Sequence, residues 1–114
     1  MEPILRGEIF FADLHNSIGS EQAGQRPVII LQNDLLNENS PTTIVAPITS
    51  VLKNQHMRSH CMLPPGCRLH EPSMVLTEQL RTIDRRRLGA YIGRLQAQDI
   101  RSVEHALSYS LGLI

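Results

Sequence analysis

Arg26-Pro27-Val28-Ile29-Ile30-Leu31-Gln32 holds four apolar residues in a row, bounded by proline on one side and an amide on the other. A run this short and unbroken suits a strand buried on both faces better than a helix or a half-exposed strand. Upstream, Gly7 to Leu14 is β-branched and aromatic and reads as a first strand. The eleven residues from His15 to Gln25 carry Gly19 and Gly24 without apolar periodicity, and so form a loop of functional length. Downstream, Asn33 and Asp34 cap a short helical turn over Asp34 to Asn39, which Ser40-Pro41 ends. Thr43 to Thr49 is a third strand, and Pro47 within it predicts an edge or a bulge.

Ser50 to Arg58 is a second polar loop, and Ser59 to Leu63 a short strand stopped by Pro64-Pro65-Gly66. Ser73 to Ile83 reads as one long or two broken strands, Asp84 to Leu88 as a helical turn, and Ala90 to Leu95 as a last strand. From Asp99 to Leu111, apolar residues recur at Ile100, Val103, Ala106, Leu107 and Leu111, which is helical spacing. Asp99 complements the helix dipole at its start, and Gly112 stands where helices end. Many short strands followed by one amphipathic helix imply a mainly β fold: a small, strongly curved sheet or barrel capped by that helix.

The chain has 114 residues, 41% of them hydrophobic and 19% charged, which suits one domain over residues 1–114. A domain of this size buries a modest share of its surface, so a second copy would help it, and the apolar end Leu111-Gly112-Leu113-Ile114 offers surface for a homodimer. No apolar run reaches membrane length, and the first six residues lack a secretory start, so the expected compartment is the cytoplasm, with no membrane partner. Net charge is zero, yet the halves differ: residues 1–57 hold 3 Lys/Arg against 6 Asp/Glu, and residues 58–114 hold 8 against 5. Ten of the eleven cations are Arg, the better residue for bidentate phosphate contact. His60, Cys61, Cys67 and His70 place four zinc-type ligands close together, but their spacing fits no common zinc pattern. Neither metal nor cofactor is expected.

Several segments together carry a family resemblance. Arg6-Gly7-Glu8-Ile9-Phe10-Phe11-Ala12-Asp13-Leu14 resembles the opening strand of MazF/PemK toxins, and Gly19-Ser20-Glu21-Gln22-Ala23-Gly24-Gln25-Arg26-Pro27-Val28 is close to their G-S-E-Q-x-G-x-R-P-V stretch. Ser40 to Thr49 looks like their third strand, Glu78-Gln79-Leu80-Arg81-Thr82-Ile83-Asp84 matches their E-Q-x-R-x-I-D segment, and Ala106 to Ile114 is similar to their closing helix. His56 to Ser73 departs most from the family pattern. The resemblance implies an SH3-like β-barrel with a C-terminal helix, paired as a symmetric dimer. It implies ribosome-independent cutting of single-stranded mRNA, leaving a 2′,3′-cyclic phosphate and a 5′-hydroxyl, and blocking by a MazE-like antitoxin. By position it makes Arg26 and Thr49 the catalytic residues.

Attack by the RNA's own 2′-hydroxyl needs a base, an acid and donors that steady the phosphorane. Arg26, where a glycine-containing loop meets a buried strand, suits the donor task, and Thr49 can donate to the same phosphate. A guanidinium does not give up its proton readily, so Arg26 is read as a clamp rather than a base. Ser20, Glu21, Gln22, Asn33, Glu78 and Gln79 are candidate contacts to splayed RNA bases. His60, on the weakly matching strand, joins them as the histidine best placed for acid–base work. Aromatic residues make up 4%, so base-stacking platforms are sparse. Two other readings compete: a CcdB-like gyrase poison on the same fold without nuclease chemistry, and a peptide-binding SH3-like module, for which a chain without Trp is poorly equipped.

Overall fold

Val28, Ile29 and Ile30 are completely buried, and Leu31 nearly so, because their strand has a core on each side. In the computed structural model, which describes residues 2–65 and 68–114, the elements follow the chain as β1 (Glu8–Asp13), β2 (Gln25–Ile30), α1 (Asp34–Asn39), β3 (Thr42–Thr49), β4 (His60–Met62) and β5 (Met74–Leu76). A 3-10 turn at Thr77–Gln79 leads to β6 (Arg81–Asp84), a second at Arg85–Arg87 leads to β7 (Leu88–Arg94), and α2 (Ala97–Ser110) closes the chain. Ser73 to Ile83 is therefore two strands broken by a turn, and the last strand and helix each start two residues earlier than the sequence pattern suggested.

All pairings are antiparallel, in the order β4-β5-β3-β2-β1-β7, with β6 also on β3. No ladder joins β4 to β7 among the described residues, so the barrel-like sheet stays open. Side chains alternate along a strand, which sorts the central residues into two cores. Ile29 and Leu31 join Ile9, Ala46, Ile48, Val75 and Leu95 beneath Val103 of α2. Val28 and Ile30 join Ile4, Ala12, Leu14, Val45 and Ile83 on the opposite face. A one-residue slip of β2 would exchange both sets, so its register is strongly fixed.

Pro47 lies neither at an edge nor in a bulge. It is buried in the middle strand, opposite Val28 of β2. On its other side β3 changes partner there, from β6, last paired at Val45↔Arg81, to β5, first paired at Ile48↔Val75. A residue without an N–H fits the gap between the two ladders.

α2 seals the first core with Val103 and Ala106 buried and Ile100 and Leu107 packed alongside. Its seat depends on Gly7, whose φ is +91° and where an added Cβ would stand 2.5 Å from Ile100 Cδ1. α1 is anchored by a buried amide pair. Asn37 donates to the Gln32 carbonyl at 2.9 Å, and its Oδ1 accepts from Gln32 Nε2 at 3.0 Å and Thr43 Oγ1 at 2.9 Å. No described helix is long and apolar enough to cross a membrane.

Candidate active site

The β2–β3 register assembles the site. Val28 faces Pro47, and carrying that pairing two residues outward sets Arg26 opposite Thr49, with both side chains on one face of the sheet. They line a groove of about 450 Å³ whose walls include Ser20, Gln22, His60, Glu78 and Gln79. Seven of the nine site residues expected from the sequence thus meet in one place. Lys53 and Asn54, from the loop after β3, also line it and were not singled out by sequence; a polar loop without a motif gives no sign of which residues turn inward.

Arg26 is held through one nitrogen. Its Nε donates to the Ala23 carbonyl at 2.9 Å, and its terminal nitrogens have no partner among the described residues. Thr49 is buried, and its Oγ1 accepts from the Val51 N–H at 3.0 Å, which leaves the hydroxyl proton for an acceptor in the groove. Each side chain is fixed at one end and open at the other, as a preorganised anion site requires.

The walls behave differently. The Gln79 amide bridges to the first loop: its Oε1 accepts from the Gln22 N–H at 2.7 Å and its Nε2 donates to the Ser20 carbonyl at 3.2 Å. Arg81 adds a donor to Ser17 Oγ at 3.2 Å. Gln79 therefore holds the Ser20–Gln22 loop through its amide oxygen and one N–H. Glu21 Oε1 accepts from the Ile18 N–H at 3.0 Å, and the residue lines a neighbouring groove with Arg81. Gln22 Oε1 is buried without a partner among the described residues.

Asn33 is the clear departure from expectation. Its side chain accepts from the Leu36 N–H at 2.9 Å as the N-cap of α1, and it does not line the groove that holds Arg26 and Thr49. The same short side chain that suits base recognition also suits capping, and here the cap takes it.

His60 is enclosed, with 7% of its side chain exposed. Nδ1 lies 3.0 Å from the Asn54 carbonyl and Nε2 2.8 Å from Glu78 Oε2. A carbonyl only accepts, so Nδ1 is the donor in the Asn54 contact. With both ring nitrogens engaged, His60 is poorly placed to ligate zinc alongside Cys61. Cys67, the other sulfur of that candidate cluster, lies outside the described residues. No group of three metal-ligating side chains occurs among the described residues. Burial pushes the Cys61 thiol up, with a smaller contribution from the Asp99 carboxylate.

Comparison with known proteins gives the family of the chain. The chain is 41% identical over 112 residues to endoribonuclease EndoA of Bacillus subtilis, covering 97% of each. MazF from Deinococcus radiodurans has the same fold, with a TM-score of 0.85, 23% identity, and coverage of 98% of this chain and 99% of that one. A MazE-MazF structure from Deinococcus radiodurans matches with a TM-score of 0.77, 20% identity and 98% coverage of both chains. The model of the PemK-like, MazF-like toxin of type II toxin–antitoxin systems matches residues 5–111, and the chain belongs to that family.

Proposed function

We propose that the chain is a metal-independent endoribonuclease toxin that cuts single-stranded mRNA in the cytoplasm and so arrests translation and growth. The observation that carries the reading is the floor of the groove. Two guanidinium nitrogens of Arg26 and the hydroxyl of Thr49 are free donors on one face, at opposed positions of two central strands. A phosphodiester seated there gains charge as the 2′-oxygen attacks, and donors already in place stabilise that charge most. Arg26 is the clamp and Thr49 the second donor. The groove's other charged side chains are Lys53 and Glu78, and the latter is paired with His60, which makes a poor divalent-metal ligand set.

Ser20 and Gln22 on the first loop, with His60 and Glu78 opposite, face the bases that flank the scissile phosphate. The active form is a homodimer. Exposed Tyr109, Leu111, Leu113 and Ile114 at the end of α2 supply apolar surface for it. A MazE-like antitoxin, of the kind found with the Deinococcus toxin, neutralises the dimer by covering the groove.

The test is cleavage of a long, structure-poor RNA in EDTA. Discrete cuts leaving 2′,3′-cyclic phosphate and 5′-hydroxyl ends are expected. Folded protein that leaves RNA intact but stalls gyrase would replace this reading with the gyrase-poison one.

A further inference from the structure

The first loop is held against the groove by Gln79 and Arg81, but the opposite wall stands on short elements. β4 and β5 have three residues each, and β4 is the end strand of the sheet order. That wall carries Lys53, Asn54 and His60 on the segment entering β4, and Glu78 on the 3-10 turn after β5. A short edge strand opens readily unless something holds it. Here α2 packs on both β4 and the 3-10 turn.

The last turn of α2 makes the polar part of that contact. The Arg58 guanidinium, at the end of the polar loop, lies 4.2 Å from the centre of the Tyr109 ring, within cation–π range. Beside Tyr109, Ser110 Oγ meets Thr77 Oγ1 at 2.7 Å. Thr77 is buried, and its hydroxyl donates at 2.6 Å to the Ser59 carbonyl, which its N–H also reaches at 3.1 Å. A hydroxyl has one proton, so Ser110 is the donor in the 2.7 Å contact, in preference to the Ala106 carbonyl at 3.1 Å. Ser59 adjoins His60 and Thr77 adjoins Glu78, so neighbouring residues of one helical turn hold both halves of the wall from behind. The turn is itself closed at Gly112, whose φ is +74°: the Gly112 N–H donates to the Tyr109 carbonyl at 3.1 Å and the Leu113 N–H to the Ser108 carbonyl at 2.8 Å. The core is sealed further up the helix, by Ile100, Val103, Ala106 and Leu107.

We propose that Tyr109 and Ser110 are positioning residues for RNA recognition, setting the spacing between the His60 and Glu78 sides of the wall and so which bases fit beside the scissile phosphate. This rests on the ribonuclease reading above and deepens it. Both residues stand behind the wall rather than in the groove, and each acts through others. Tyr109 acts through Arg58 on the loop bearing Lys53 and Asn54. Ser110 acts through Thr77 on the backbone beneath His60 and Glu78. Without either tether the wall relaxes, and a relaxed wall accepts bases that the native one rejects.

The experiment uses the full chain and two matched pairs, Ser110→Thr against Ser110→Val and Tyr109→Phe against Tyr109→Leu. Thr keeps the hydroxyl that Val replaces with a methyl of similar shape, and Phe keeps the ring that Leu lacks. Single-turnover rates are measured on a short RNA holding the cut sequence mapped with the native protein, and on RNAs changed at one base of it. Ser110→Val and Tyr109→Leu should each keep most of the rate on the mapped sequence but lose discrimination by about tenfold, the scale of one hydrogen bond. Ser110→Thr and Tyr109→Phe should discriminate as the native chain does. Thermal melts and sedimentation accompany every variant. The Ser110 pair decides alone if Tyr109→Leu alters the oligomer, and the Tyr109 pair if Ser110→Val does not fold. Native discrimination by the Val and Leu variants, equal losses within the deciding pair, or a loss that follows the fraction unfolded would overturn the assignment. Native protein that cuts no RNA would instead sink the ribonuclease reading itself.

Discussion

The floor and the rim of the groove are built from similar polar residues but use them in opposite ways. On the floor, Arg26 and Thr49 each make one bond to nearby backbone and leave their remaining donors open. On the rim, Gln79 and Arg81 direct their side chains at the loop carrying Ser20 and Gln22, with partners up to 64 residues away in sequence. Residues on rigid strands can present free donors because the sheet already fixes them. A loop must first be held, and here other polar residues of the site hold it. Floor substitutions should therefore slow the chemical step, and rim substitutions should loosen recognition.

The largest expected effect is at the floor. Arg26→Ala should lower the single-turnover rate by about 10²–10³-fold, the loss typical of removing one donor to a developing oxyanion, with a smaller change in RNA affinity. Kinetics at saturating protein separate the two, and a purely affinity-based loss would move Arg26 to the rim class.

Next comes the clasp. Gln79→Ala removes the acceptor for the part-buried Gln22 N–H and should cost on the order of 1 kcal/mol. Its rate on the native cut sequence should persist at saturation, while cuts spread to related sequences. Sequencing the ends of a digested transcript reads this, and an unchanged cut pattern would mean that the loop keeps its shape unaided.

Asn33→Ala should act on stability alone, by about 1 kcal/mol, because a cap is lost and no groove contact is. Denaturant unfolding beside a cleavage assay checks it. Slower cleavage in a chain of intact stability would return Asn33 to the RNA-contacting set.

The smallest effect concerns pH. A hydrogen bond from the His15 side chain, then one from its backbone, holds the Asp13 carboxyl below its ordinary 3.8. In acid the unfolded chain binds more protons at this site than the folded one. Its contribution is thus complete above about pH 4 and is lost as pH falls through the lower folded value. Asp13→Asn should lower the neutral side of a melting-temperature profile slightly, so that the fall toward acid becomes shallower, and leave the acid end in place; an unchanged neutral melting temperature would count against it.

What was legible in the sequence follows the range of the forces involved. The buried run Val28–Leu31, the α1 boundaries and the amphipathic face of α2 depend on neighbours within a few residues, and all three stand where their patterns put them. Arg26 and Thr49 became candidates through the family resemblance, and the β2–β3 register explains why they meet. Pro47 misled because the usual rule assumes one partner strand on each side, whereas β3 has two in succession along one edge. The Gln79 clasp and the His60–Glu78 pair join residues 57 and 18 positions apart, so no local pattern announces them. Asn33 was ambiguous for a different reason: capping and base recognition ask for the same side chain.

The most direct test of a shared floor is a double-mutant cycle on Arg26 and Thr49, read as single-turnover cleavage by Arg26→Ala, Thr49→Ala and the combined variant. If both donors serve one phosphate, the combined variant should lose little more than Arg26→Ala alone, since residues acting as a unit are strongly non-additive. Losses that simply multiply would contradict it and leave Arg26 and Thr49 as neighbours with separate tasks.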